Sequence, residues 1–106
     1  MDINEKIKEL LESHSVILFM KGSPDFPQCG FSGQTVRALE ASNAKYHFIN
    51  ILEEPELREA LKIYSNWPTY PQLYVSGELV GGCDIVMSLY QQGELVKLLA
   101  AAEGVN

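Results

Sequence analysis

The chain has 106 residues, of which 46% are hydrophobic, and this length and composition allow one continuous core without disulfides or a structural metal. Its formal net charge of −6, from 14 acidic and 8 basic side chains, leaves no basic face on which a nucleic acid would release counterions. Nucleic acid is therefore excluded as an expected partner.

The first half of the chain predicts an opening helix, a strand and a second helix. Asp2 and Glu5 resemble a capping box in front of apolar residues at helical spacing. The apolar run from Val16 to Met20 predicts a strand that is buried on both faces. Loop residues follow, and the stretch from Phe31 to Ala41 then predicts a helix whose first turn holds Cys29.

The second half predicts another strand and helix, a hairpin and a closing helical region. A strand is expected over residues 46–51, and Pro55 suits the first position of the helix that follows. Two short strands around the turn at residues 76–78 predict a hairpin. Asp84 is expected to cap a helix that stops at Gly93, with a last helical turn or two beyond it.

This order of elements predicts an α/β fold. Strands joined through a helix are expected to pair in parallel, whereas the hairpin adds antiparallel strands. The result is a mixed four-stranded sheet flanked by helices. We find no repeat, low-complexity tract or linker, so we expect one domain over residues 1–106.

Cysteine usage indicates a reducing compartment. Cys29 and Cys83 are too few and too far apart for the disulfide framework of a small secreted protein. The polar start of the chain and the shortness of its longest apolar run, Val16 to Met20, argue against a signal sequence or a membrane span. We therefore expect a cytoplasmic protein without a membrane partner.

Cys29 lies where a buried strand gives way to a helix. Side chains there face the free N–H groups and partial positive charge of the helix N-terminus, which favour a thiolate, the form that attacks electrophiles and binds metals. Lys21, just after the strand, would add positive charge. The alternative is a buried structural cysteine, because free cysteine is among the most buried residue types.

The segment Cys29-Gly30-Phe31-Ser32 has Cys-x-x-Cys spacing with serine in place of the second cysteine. No internal disulfide can form at this spacing. Either the motif arose by chance or the protein uses an external thiol as its partner. Gly30, next to the sulfur, leaves room for a bulky group to approach.

Four segments together resemble the signature segments of the monothiol glutaredoxins, in the same order and spacing. They are Lys21 to Pro24, Cys29 to Ser32, Trp67 to Gln72 and Gly81 to Asp84. The resemblance covers almost the whole chain and is closest to the short, single-domain members. It implies a thioredoxin fold with a cis peptide bond before Pro71.

The resemblance also implies that the protein binds an iron–sulfur cluster. Short members of this family bind a [2Fe–2S] cluster between two protomers, each of which gives one cysteine while two glutathione thiolates complete the ligands. By this resemblance Cys29 is the cluster ligand, and four thiolates around two irons agree with the sulfur preference of such clusters. The implied partners are glutathione, a second copy of the chain, a BolA-like protein and apoproteins that accept the cluster.

Glutathione has two carboxylates and one amine, and the resemblance assigns residues to each. Lys21 and Arg58 match the positions that hold the glycine-end carboxylate, as cations can. The alternative is that both are ordinary solvated charges, which is the commonest fate of Lys and Arg.

Residues near the hairpin and the following helix match the rest of the glutathione site. Cys83 and Asp84 match the positions that hold the γ-glutamyl end, where N–H groups at a helix start take a carboxylate and Asp84 takes the amine. Tyr70, before Pro71, matches the residue whose backbone pairs with the cysteine of the tripeptide. The alternative for Asp84 is a helix cap alone. Cys83 is expected to be buried and unreactive.

Three functions follow from these residues. The leading hypothesis is a carrier that accepts a cluster and transfers it to apoproteins. The second is a glutathione-dependent thiol-disulfide oxidoreductase in which Cys29 attacks a glutathionylated protein, a reaction at which monothiol members are generally poor. The third is an inert interaction module in which the Cys29 motif is incidental.

Overall fold

A four-stranded mixed sheet forms the centre of the computed structural model, which describes residues 2–105. The strands are β1 (Val16–Met20), β2 (His47–Asn50), β3 (Gln72–Val75) and β4 (Glu78–Gly81). They lie in the order β2-β1-β3-β4, with β1 and β2 parallel and the other two pairs antiparallel. This confirms the predicted mixed sheet.

Five helices flank the sheet, and a short 3-10 helix, Ile51–Glu53, follows β2 directly. The helices are α1 (Ile3–Ser13), α2 (Gly30–Ala41), α3 (Pro55–Ser65), α4 (Cys83–Gln91) and α5 (Glu94–Ala101). None of the helices within residues 2–105 has both the length and the apolar character needed to cross a bilayer.

Both faces of β1 are covered, which explains its continuous apolar run. Successive side chains of a strand point to opposite faces. Val16, Leu18 and Met20 therefore pack with residues of α2, α4 and α5, whereas Ile17 and Phe19 pack with residues of α1 and α3. All five side chains are buried.

Two element boundaries differ from the sequence prediction. The second strand is His47–Asn50 rather than residues 46–51, because Ile51 already begins the 3-10 helix. The prediction that Asp84 caps α4 is wrong. Gly82 occupies the N-cap with extended backbone, and Asp84 lies in the first turn, where the helix N-terminus favours its negative charge.

The predicted turn chemistry is confirmed at three places. Ser76 and Gly77, between β3 and β4, both have positive φ, as a two-residue type I′ turn requires. Gly93 adopts the left-handed conformation between α4 and α5. The peptide bond between Tyr70 and Pro71 is cis.

Two histidines that are distant in sequence stack at one edge of the fold. His14 caps the C-terminus of α1 and His47 begins β2, and their rings lie 3.9 Å apart with planes inclined by 4°. Partial burial, together with the nearby His14, lowers the pKa of His47. Protonation of His47 is therefore less favourable in the folded chain than in the unfolded chain.

We expect this pair to lower stability in mild acid. Because the folded pKa of His47 lies below its ordinary value of 6.5, the unfolded chain binds more protons, so the free energy of unfolding falls as pH drops through 6.5. His47→Gln should make that fall shallower. Urea unfolding at closely spaced pH values would measure it, and an equally steep fall in the variant would contradict the assignment.

Candidate functional site

A surface cavity of about 480 Å³ lies where β1 ends, next to the N-termini of α2 and α4 and the loop before β3. It brings together all the residues predicted for the site except Arg58. The predicted residues that line it are Lys21, Cys29, Tyr70, Pro71, Cys83 and Asp84. Segments as far apart in sequence as Lys21 and Asp84 thus meet at one cavity, as the resemblance implies.

Cys29 is the N-cap residue of α2. Its backbone is extended, with φ −155° and ψ 138°, while its carbonyl accepts the first helical hydrogen bond from Gly33 N–H at 3.0 Å. The thiol is partly exposed on the cavity wall and forms no disulfide within the described residues. It is therefore available to a molecule in the cavity, contrary to the alternative of a buried structural cysteine.

The surroundings of Cys29 favour the thiolate. Burial of the thiol acts to raise its pKa. Hydrogen bonds from the backbone N–H groups of Ser32 and Phe31, the hydroxyl of Ser32 and the charge of Lys21 together outweigh burial, so the pKa lies below its ordinary value. The thiol therefore has a larger thiolate fraction at neutral pH than a free cysteine has.

Ser32 connects the end of β1 to the thiol. It is fully buried, and its Oγ accepts a hydrogen bond from the backbone N–H of Lys21 at 3.1 Å. Its own hydroxyl proton is then free to be donated to Cys29. The serine that replaces the second cysteine of the motif therefore helps to activate the first.

We expect Ser32→Ala to raise the pKa of Cys29, because the hydroxyl donor is lost while the backbone donors remain. The rate of alkylation by iodoacetamide, measured against pH in a Cys83→Ser background, should shift to higher pH. Thr35→Ala is a suitable control, because the Thr35 hydroxyl donates to the Phe31 carbonyl rather than to the thiol. An unchanged profile in Ser32→Ala would remove Ser32 from the activation of Cys29.

The loop from Gly22 to Gln28 is closed by its own hydrogen bonds. The N–H of Gln28 donates to the Lys21 carbonyl at 2.9 Å, and Ser23 and Phe26 exchange backbone hydrogen bonds. The Oδ1 atom of Asn50, at the end of β2, accepts from Gly22 N–H at 3.0 Å. These contacts fix the chain that connects Lys21 to Cys29.

The loop from Trp67 to Pro71 also lines the cavity. Tyr70 is buried, and its hydroxyl donates to the Arg58 carbonyl at 2.8 Å. Within residues 2–105 no backbone hydrogen bond involves the N–H or carbonyl of Tyr70. This backbone can therefore pair with an extended peptide in the cavity.

The N-terminus of α4 lines the cavity as well. Asp84 is exposed in the first turn, beside the free N–H groups of the helix start. Cys83 is buried, and its thiol donates to Gln34 Oε1 at 3.4 Å. Cys83 thus has a partner on α2, in agreement with the expectation that it is buried.

Arg58 is the one predicted site residue that does not line this cavity. It belongs to α3, and its carbonyl holds the hydroxyl of Tyr70, but it is not among the described residues that line the cavity. Its assignment to a carboxylate of glutathione therefore depends on the resemblance alone.

Sequence reasoning assigned no role to several residues that border the cavity. Phe31, Thr69 and Ile85 all line it, and the Phe31 and Ile85 side chains are exposed. Phe31 follows Cys29 by two positions at a helix start, so its exposure could have been inferred from the motif. Thr69 and Ile85 carry no comparable signal.

The sequence and the fold match those of known proteins. A model of the glutaredoxin family matches residues 16–80. The chain belongs to the glutaredoxin family. It is 52% identical over 95 residues to Glutaredoxin 4 of Escherichia coli strain K12, covering 90% of this chain and 83% of that protein. The resemblance to the monothiol glutaredoxins is thereby confirmed.

Solved glutaredoxin structures share the fold. The solution structure of reduced poplar apo GrxS14 matches with a TM-score of 0.81 and 48% identity, covering 95% of this chain and 93% of that chain. The crystal structure of a buckwheat glutaredoxin–glutathione complex matches with a TM-score of 0.86 at 24% identity, covering 98% and 93%. The predicted thioredoxin fold is confirmed.

Proposed function

We propose that this glutaredoxin binds glutathione in the cavity beside Cys29 and, as a dimer, carries a [2Fe–2S] cluster that it transfers to apoproteins. The observation that carries the proposal is an activated thiol, Cys29, on the wall of a cavity whose other lining residues suit a tripeptide. The cluster is cargo rather than a resident group.

Glutathione fits the polar groups of the cavity. Lys21 offers a cation for one carboxylate, and the start of α4 offers N–H groups for the other. The carboxylate of Asp84 suits the amine, and the Tyr70 backbone suits the central cysteine. The buckwheat glutaredoxin of the same fold was crystallised as a glutathione complex.

The number of ligands supports a dimer. Among residues 2–105 no group of three or more His, Cys, Asp or Glu side chains is arranged to hold a metal ion. Cys83 is buried and its thiol is hydrogen-bonded to Gln34, so Cys29 is the thiolate that each chain supplies, and the remaining sulfur ligands come from glutathione and a second copy of the chain. Because half of the ligands belong to glutathione, which can dissociate from the protein, the cluster can leave without unfolding the protein.

We place this carrier in the cytoplasm, where reduced glutathione keeps both cysteines as thiols. A BolA-like protein is the second partner that we propose, in place of one protomer. Apoproteins that need a [2Fe–2S] cluster are the acceptors.

The lowered pKa of Cys29 also suits a glutathione-dependent oxidoreductase. The Cys29 thiolate would attack the glutathione sulfur of a glutathionylated protein, and the protein thiolate would leave and take up a proton. A second glutathione thiolate would then attack the disulfide between Cys29 and glutathione. This step releases oxidised glutathione and regenerates the Cys29 thiolate.

Anaerobic reconstitution with iron, sulfide and glutathione separates the two functions. A carrier should become brown, elute as a dimer and convert an added plant-type apo-ferredoxin to its holo form. The same preparation should reduce a glutathionylated peptide slowly. A protein that stays colourless and monomeric while it reduces the peptide rapidly would refute the carrier proposal and support the oxidoreductase.

A further inference from the structure

Gln72 is a fully buried polar residue at the start of β3. Glutamine is seldom fully buried, and its side chain must then find partners inside the protein. Its Nε2 group donates to the carbonyls of Trp67 at 3.1 Å and of Thr69 at 3.2 Å. Both hydrogens of the amide are therefore used by the loop that forms one wall of the cavity.

Tyr74 fixes the orientation of this amide. It lies two residues along β3, so its side chain is on the same face of the sheet as Gln72. Its hydroxyl donates to Gln72 Oε1 at 3.0 Å. Burial raises the pKa of Tyr74 to about 12, so this hydroxyl is a donor at neutral pH. A flipped Gln72 amide would turn Oε1 towards two carbonyls and leave them unpaired.

Besides the Gln72 amide, the loop is held by the hydroxyl of Tyr70, which donates to the Arg58 carbonyl at 2.8 Å, and by its junction with α3. The N–H of Trp67 donates to the Lys62 carbonyl at 3.2 Å, which ends α3, and β-sheet pairing begins only at Gln72. The two carbonyls that Gln72 holds belong to the residues on the N-terminal side of Tyr70. Arg58 anchors the side chain of Tyr70, whereas the Gln72 amide holds the main chain just before Tyr70, so the position of the Tyr70 backbone on the cavity wall depends on the Gln72 amide as well.

We infer that Gln72, oriented by Tyr74, is a positioning residue for glutathione: it holds the 67–70 loop so that the Tyr70 backbone can pair with the tripeptide beside Cys29. The inference depends on the proposed glutathione site. The contacts around the thiol itself come from Ser32, Phe31 and Lys21. Loss of the Gln72 contacts should therefore weaken glutathione binding while the Cys29 pKa stays unchanged.

Tyr74→Phe tests the inference with a minimal change. The ring keeps its edge contact with Phe19, whose centroid lies 5.5 Å away, and only the hydroxyl is lost. Glutathione affinity, measured by calorimetry, should fall by roughly threefold, because Gln72 loses the partner that orients it. Tyr46→Phe is the matched control, since Tyr46 packs against the core on the other face of the sheet.

Gln72→Met is the second variant, because it removes both donors at nearly constant length. Glutathione affinity should fall by roughly tenfold, equivalent to about 1.4 kcal/mol. Trp67 is the only tryptophan in the sequence, and its carbonyl is one of the two acceptors. Its fluorescence emission should shift in Gln72→Met and Tyr74→Phe but not in Tyr46→Phe.

The outcomes separate this inference from the proposed function. If the unmodified protein does not bind glutathione, the proposed function fails. If it binds and both variants bind equally well with unchanged Trp67 emission, the positioning role of Gln72 is wrong. A loss of affinity with a matching rise in the Cys29 pKa would mean general disruption of the site and would also overturn the inference.

Discussion

Cys29→Ser is expected to abolish cluster binding while the fold is retained. The side chain is partly exposed at the start of α2 and contributes little to the core, and a serine hydroxyl is a poor ligand for iron. After anaerobic reconstitution with glutathione, the variant should stay colourless and monomeric. Its circular dichroism spectrum and urea midpoint should remain close to those of the unmodified protein.

Cys83→Ser is the matched control for the other sulfur. Cys83 is buried and donates to Gln34, so the variant should keep the cluster, with a modest loss of stability from a hydroxyl in a small buried site. Cluster retained at normal stoichiometry in Cys29→Ser would contradict the ligand assignment. Cluster lost in a folded Cys83→Ser variant would show that a second sulfur takes part.

Gly22→Ala is expected to destabilise the protein and to impair the site at the same time. Gly22 has φ +93°, and an added Cβ would lie 2.5 Å from the Phe26 carbonyl oxygen and 2.6 Å from the Gln28 nitrogen. Both are backbone atoms of the closed loop, so the loop must shift. We expect a loss of roughly 2 to 4 kcal/mol in the free energy of unfolding.

Gly77→Ala separates the steric effect from the backbone effect. Gly77 also has positive φ, +80°, but an added Cβ would meet nothing within 4 Å. The Gly77→Ala variant should lose about 1 kcal/mol in the free energy of unfolding, and its glutathione affinity should be unchanged. Urea unfolding of both variants gives the comparison. Equal losses would mean that the close packing of the loop at Gly22 contributes nothing.

The sequence predicted the elements whose patterns are local. The buried run of β1, the helix after Cys29 and the turn at residues 76–77 each follow from side-chain type and spacing over a few residues. The position of Cys29 between strand and helix also follows locally. The same reasoning failed for the cap of α4, because glycine and aspartate are both common at helix starts and only the backbone distinguishes them.

Contacts across the sheet could not be predicted in this way. Asn50 reaches Gly22, and Gln72 reaches the carbonyls of Trp67 and Thr69, yet no pattern in the sequence marks either side chain as buried or paired. The stacking of His14 on His47 likewise requires the parallel pairing of β1 with β2. These contacts arise from the tertiary fold, which brings distant residues together.

The mass of the reconstituted protein tests the central claim most directly. Native mass spectrometry after anaerobic reconstitution should detect two protein chains with one [2Fe–2S] cluster and two glutathione molecules. The species should disappear when glutathione is omitted or when Cys29 is replaced by serine. A cluster bound to a single chain, or to a dimer that contains no glutathione, would contradict the account.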